Sequence, residues 1–146
     1  MTLEIVVNGR EEWPLPEGLL VRGVEAAFSA EGIDEGEISV TFLDDEAIAA
    51  LNDEYLGRPG PTDVLAFALH GGGEPVLGDV YVGYEQARRQ ALDLAVPLEE
   101  ELLRLAVHGA LHVLGHDHPE GAAREESEMY RRQEEILGRV LSGPGG

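Results

Sequence analysis

Cysteine and lysine are both missing from these 146 residues. Without cysteine no disulfide can staple the fold, and a cysteine-rich structural zinc site is excluded. Without lysine, all positive charge rests on ten arginines, set against 29 acidic residues for a formal charge of −19. Non-specific affinity for nucleic acid comes from cations neutralising phosphates, so this balance by itself speaks against such a partner. It describes a well-solvated surface. Cations can still gather locally. Arg58, Arg88, Arg89 and Arg104 are the candidates for a phosphate-facing patch, since the planar guanidinium fork suits that task. Long apolar runs are missing too: none approaches the roughly 18 residues of a membrane span. The chain opens with LEIVV from Leu3 rather than with a basic segment and a long apolar stretch. The cytoplasm is the expected location, with no membrane partner.

Histidine is scarce as well, yet four of the five fall between His108 and His118, in HGALHVLGHDH. Three of them carry the spacing H-x-x-x-H-x-x-G-x-x-H, as His108, His112, Gly115 and His118. Residues four apart on a helix project from one face, so His108 and His112 can aim at one point. Gly115 suits the left-handed turn that ends a helix, and a reversal there brings His118 back towards the first two rings. Three neutral imidazoles converging on one point make a zinc site with its fourth position open, the arrangement in which a metal activates water. Leaving several imidazoles buried without a metal would strand polar nitrogens that need partners.

One more absence narrows the chemistry. The zincin protease pattern is H-E-x-x-H, with glutamate as general base beside the first ligand. Here that position is Gly109, which cannot take a proton. A peptidase is demoted, and another hydrolysis on a three-histidine metal is the better reading.

The remaining chain reads as alternating strands and helices. Leu3 to Val7 is a strand, and Leu19, Leu20, Val24, Ala27 and Phe28 mark a helix that ends near Gly32. Ile38, Val40 and Phe42 alternate as a strand, and Asp44 caps a helix through Ile48 and Leu51 to about Tyr55. GRPGP, residues 57 to 61, is a loop. Strands follow at Val64 to Leu69 and Val76 to Val82, around a glycine-rich tip, and then a helix at Tyr84 to Leu94. Pro97 opens the metal-bearing helix, with Glu99, Glu100 and Glu101 in its first turn favouring the helix dipole. That helix is apolar almost all round and belongs in the core. A last helix, Ala122 to Leu141, buries Met129, Ile136, Leu137 and Val140. The expectation is an α+β fold: one domain over residues 1–141, a small mixed sheet packed with helices around a central metal-binding helix, and a flexible tail at 142–146.

On these residues the chain resembles the YbeY family of bacterial metal-dependent endoribonucleases. The family signature H-G-x-L-H-L-x-G-[YH]-D-H is met by HGALHVLGHDH with Val113 as its one departure. A second block appears as LNDEYLGRPGPTDVLAF from Leu51 to Phe67, a third as Leu77-Gly78-Asp79-Val80, and a fourth as Met129-Tyr130. The resemblance implies that His108, His112 and His118 hold one zinc ion per chain. It implies a single-strand endoribonuclease of 16S rRNA 3′-end maturation and ribosome quality control, with single-stranded rRNA and the ribosome as partners and no DNA. The family's arginine after the tyrosine falls on Leu56, so Arg58, at the family's lysine position, is the expected catalytic cation. Asp117 is the candidate general base; its alternative role is to accept a hydrogen bond from a ligand imidazole. His116 is expected beside the site rather than as a fourth ligand, and Thr62, Asp63 and Asp79 as cleft-wall or loop-pinning residues. His70, with no helical partner at ligand spacing, is expected to play no part. Attack by metal-activated water and attack by a ribose 2′-OH both stay open. So do two other functions: a metallopeptidase, which Gly109 opposes, and a ribosome-associated RNA-binding factor whose metal is structural.

Overall fold

The computed structural model describes residues 2–115 and 122–142. In chain order the elements are β1 (Leu3–Asn8), α1 (Glu17–Ala30), β2 (Gly36–Leu43), α2 (Asp45–Leu56), β3 (Val64–Ala68), β4 (Val76–Gly83), α3 (Tyr84–Leu94), α4 (Leu98–Val113) and α5 (Ala122–Ser142). Each forms where the apolar period and the end signals agree. Asp44 takes the N-cap of α2, its carboxylate accepting from the Ala47 N–H at 2.8 Å, and Gly57 closes that helix in the left-handed region at φ 65°. Leu20, Val24, Ala27 and Phe28 form the buried stripe of α1, and Ile38, Val40 and Phe42 the buried face of β2.

The sheet has four strands in the order β1-β2-β4-β3. The first three are parallel, and β3 runs antiparallel to β4 as an edge strand. This is the mixed α+β sheet that the sequence leads one to expect. Val80 and Val82 of β4 point into the main core, and Asp79 and Tyr81, alternating with them, point to the opposite face. On the core side α4 lies across β3 and β4, flanked by α1, α3 and α5. Two glycines permit that approach. A Cβ on Gly109 would stand 2.4 Å from Val80 Cγ1, and one on Gly78 would stand 2.5 Å from Val113 Cγ1. Helix and sheet are therefore in direct contact at two points, which fixes where α4 sits along the strands.

α5 closes the core with Met129, Ile136, Leu137 and Val140. Arg132 fastens it to the end of α1 by donating to the Ala30 carbonyl at 3.0 Å and to Glu31 at 2.6 Å. The helix runs one residue beyond Leu141, so Ser142, expected in the tail, is helical; residues 143–146 lie outside the described residues. Among the described residues no helix is long and apolar enough to cross a membrane.

Candidate metal centre

His108 and His112 stand one turn apart on α4, half-buried, on a helix whose other sides are taken up by the core. Their Nε2 atoms face each other at 3.1 Å, with the rings inclined at 68°. Two nitrogens each about 2.0–2.1 Å from a tetrahedral zinc stand about 3.4 Å apart, so the pair already sits close to ligand spacing. At 3.1 Å two N–H groups cannot oppose each other, so at least one nitrogen presents a lone pair. The donor set fits zinc. Gly115 ends the helix as expected, at φ 113°, with its N–H donating to the His112 carbonyl at 3.1 Å. His116, Asp117 and His118 lie outside the described residues, and among the described residues no third His, Asp or Glu completes a metal-holding group. His70 is elsewhere, its Nδ1 3.1 Å from the Leu77 backbone, in a 680 Å³ cavity that shares no residue with the histidine pair.

Behind His108 runs a chain of polar side chains. Its Nδ1 is 2.7 Å from Gln133 Oε1 on α5, and Gln133 Nε2 donates to Glu134 at 2.9 Å. Arg104 then donates to Glu134 at 2.9 Å, to Glu101 at 2.6 Å and to Glu100 at 3.1 Å. Hydrogen bonding to Glu134 raises the Arg104 pKa, with Glu101 and Glu100 adding to it against the lowering effect of burial. For Glu134 burial pushes the pKa up, but the hydrogen bonds from Arg104 and Gln133 outweigh it and hold the carboxyl below its ordinary range. Gln133 is only 4 % exposed and Glu101 only 2 %. Sequence reasoning missed Gln133. Its signal was there: it is a polar residue four places after Met129 and four before Leu137, on the stripe α5 buries.

The same contacts separate the candidate phosphate-facing arginines. Arg104 is committed to three carboxylates, Arg89 grips both oxygens of Asp45 at 2.9 Å, and Arg88 lies over the Tyr84 ring on α3, 5.4 Å from its centroid. Arg58 differs. It lines a cleft of about 380 Å³ together with Leu56, Asp63, Phe67 and both histidines, and no ion pair holds it among the described residues. Its loop is pinned to α2 by buried Asn52, whose side-chain amide donates to the Gly60 carbonyl at 3.0 Å and whose own carbonyl accepts from the Arg58 N–H at 3.3 Å. Asn52 is a second residue that sequence reasoning passed over.

The three expected wall or pinning residues separate. Asp63 lines this cleft and a neighbouring one of about 420 Å³ that holds Gln90, Tyr130 and Gln133, with the histidines shared between the two. Gln90 donates to its carboxylate at 3.2 Å, and its backbone carbonyl takes the Gly83 N–H at 2.8 Å. Asp63 is thus both cleft wall and pin. Asp79 lines neither of these two clefts: it accepts from Ser39 Oγ at 2.7 Å on the sheet face away from α4. Thr62 stays a loop residue, its carbonyl close beneath Gly83.

Three comparisons bear on this arrangement. The family model described as endoribonuclease YbeY matches residues 17–141. The endoribonuclease YbeY of Pelotomaculum thermopropionicum is 44 % identical over 131 residues, covering 84 % of this chain and 85 % of that protein. That of Aquifex aeolicus is 43 % identical over 120 residues, covering 81 % and 79 %. Among solved structures, the solution structure of a Thermotoga maritima protein superposes with a TM-score of 0.65 at 28 % identity, covering 93 % of this chain and 88 % of that one.

Proposed function

This chain belongs to the endoribonuclease YbeY family, and from that premise we propose a zinc-dependent enzyme that cuts single-stranded RNA. Membership makes it a hydrolase of RNA. The observation that carries the zinc reading is the approach of the His108 and His112 Nε2 atoms to 3.1 Å on a cleft wall. His118 is the third ligand on this reading, with one zinc per chain. The substrate is 16S rRNA at its 3′ end, met on the ribosome in the cytoplasm.

When bound, zinc supplies a Lewis acid for a phosphoryl oxygen and lowers the pKa of a water to about 7. The chain's own groups do the rest. Arg58 shares the cleft with the histidines and has no carboxylate holding it among the described residues, so its guanidinium is available to the charge that gathers on a phosphodiester in the transition state. Asp63 lines both clefts beside the histidines and is one candidate for taking the proton of the attacking oxygen; Asp117 is the other. That oxygen is water or a ribose 2′-OH. A cleft of this volume suits one nucleotide of an unpaired strand, whose base and phosphate are both accessible. The peptidase alternative loses further ground, because a Cβ at position 109 would already stand 2.4 Å from Val80 Cγ1, which leaves no room there for a glutamate.

The test is cleavage of single- and double-stranded RNA by metal-reconstituted protein, alongside elemental analysis. About one zinc per chain and cleavage of the single strand alone are expected. His112→Ala should lose metal and activity together. Arg58→Ala should slow cleavage on the order of 100-fold, as loss of one preorganised donor does. Leu56→Arg, which adds a guanidinium to the same cleft wall, should raise the rate or leave it unchanged. Failure to load any stoichiometric metal would sink the zinc reading. Zinc bound without cleavage would favour the RNA-binding factor with a structural metal, and a parental rate in Arg58→Ala would make its loop scaffolding.

A further inference from the structure

Building on the metal reading above, we propose that Gln133 is a positioning residue that puts the ring hydrogen of His108 on Nδ1, and that Arg104 imposes this choice through Glu134. The argument is a count of donors and acceptors, in which each link allows one arrangement. Arg104 has only donors and keeps its charge. It gives Nε to one oxygen of Glu134 at 2.9 Å and Nη2 to the other at 3.3 Å. The ionised Glu134 can only accept. The end of the Gln133 amide that meets it at 2.9 Å must therefore be the NH₂ group. The other end, the amide oxygen, is then the atom 2.7 Å from His108 Nδ1. An amide oxygen only accepts, so Nδ1 carries the hydrogen.

A neutral imidazole has one N–H, which leaves Nε2 with a bare lone pair. Nε2 is the atom that faces His112 at 3.1 Å. The arginine's donors at one end of the relay thus dictate a metal-ready nitrogen at the other, two side chains away. Burial makes the relay enforceable. Gln133 is 4 % exposed, so its amide is held in one place by packing, and Glu101, 2 % exposed, ties Arg104 in place from α4 itself. A metal ligand whose free nitrogen is hydrogen-bonded in this way keeps its ring orientation, and losing such a partner typically costs about 10–100-fold in metal affinity.

The test reads the hydrogen directly, by nitrogen-15 NMR of the histidine rings in metal-free protein at about pH 8, above the ordinary histidine pKa. The parent should show His108 protonated on Nδ1. Gln133→Leu, similar in volume but without the acceptor, should shift His108 towards the Nε2–H form and weaken zinc binding about 10–100-fold in a competition titration. A parent spectrum with the hydrogen on Nε2 overturns the proposal, as does Gln133→Leu with parental tautomer and zinc affinity. The parent spectrum decides the first step even if the Leu variant fails to fold. Because that spectrum needs no metal, a parent that binds no zinc overturns the metal reading while the tautomer result stands by itself.

Discussion

Gly109 has two meanings, depending on what is known about it. In the sequence it is the place where a protease would carry its base. In the structure it is the point where α4 touches β4, with room for a hydrogen and nothing larger: its missing Cβ would fall 2.4 Å from Val80 Cγ1 and 3.2 Å from Val64 Cγ2. Val80 belongs to a central strand and has no exposure, so it cannot swing aside at little cost. Overpacking of this kind typically destabilises by about 1–3 kcal/mol. Gly109→Ala should therefore lower the unfolding free energy by that amount, read as a lower denaturant midpoint with the slope unchanged. A midpoint equal to the parent's would mean that α4 can lift from the sheet freely, and the close contact would lose its importance. Arg58 shows the complementary case, in which a residue's meaning lies in what it does not touch. Among the arginines raised as candidate phosphate contacts, Arg88, Arg89 and Arg104 all have partners of their own, and Arg58 faces the cleft.

At the scale of elements, α4 and α5 are joined by charge as well as by apolar packing. Arg104 on α4 reaches across to Glu134 on α5, and Arg132 on α5 reaches α1. The Glu134 carboxyl is held below its ordinary value, because hydrogen bonds from Arg104 and Gln133 outweigh the effect of burial. A carboxyl depressed by folding contributes stability that is complete above its unfolded pKa, near 4.5, and is lost as pH falls through the lower folded value. Glu134→Gln should accordingly be less stable than the parent at neutral pH. The gap should narrow once the pH drops below 4.5 and vanish in stronger acid. Chemical denaturation of both proteins across that range checks it, and a gap independent of pH would show that the loss comes from packing instead. The pair is partly exposed, so the effect is a modest one.

Over the whole molecule the charge of −19 opposes the approach of RNA, while the site itself offers few cations. Most nucleic-acid enzymes lose affinity as salt rises, because binding releases counterions from phosphates. Here salt also screens a long-range repulsion, within a Debye length of about 8–10 Å at physiological ionic strength. The second effect should offset the first. The efficiency of cleavage of a short RNA should stay flat or rise as monovalent salt increases from about 10 to 150 mM at fixed zinc, a range over which the screening length falls severalfold. A steep fall over that range would reveal a cationic surface that outweighs the acidic one.

Sequence by itself determined the elements, their approximate ends and the histidine pair, because these depend on short-range relations. A period of 3.6 or 2, a capping aspartate at 44, a glycine turn at 115 and two histidines four apart are all written within a single turn or strand. Only the tertiary structure decided the strand order, with β3 reversed at the edge. It alone decided that Asp63 belongs to the cleft while Asp79 lies on the other face of the sheet. It also decided which arginine faces the site. A charge is available or spent according to neighbours that the chain brings from far away: Arg104 meets Glu134 thirty positions on, and His108 meets Gln133 twenty-five positions on. No local pattern carries such pairings. They arise when buried faces of separate elements pack, and the polar groups carried inward must then find partners or be left unsatisfied.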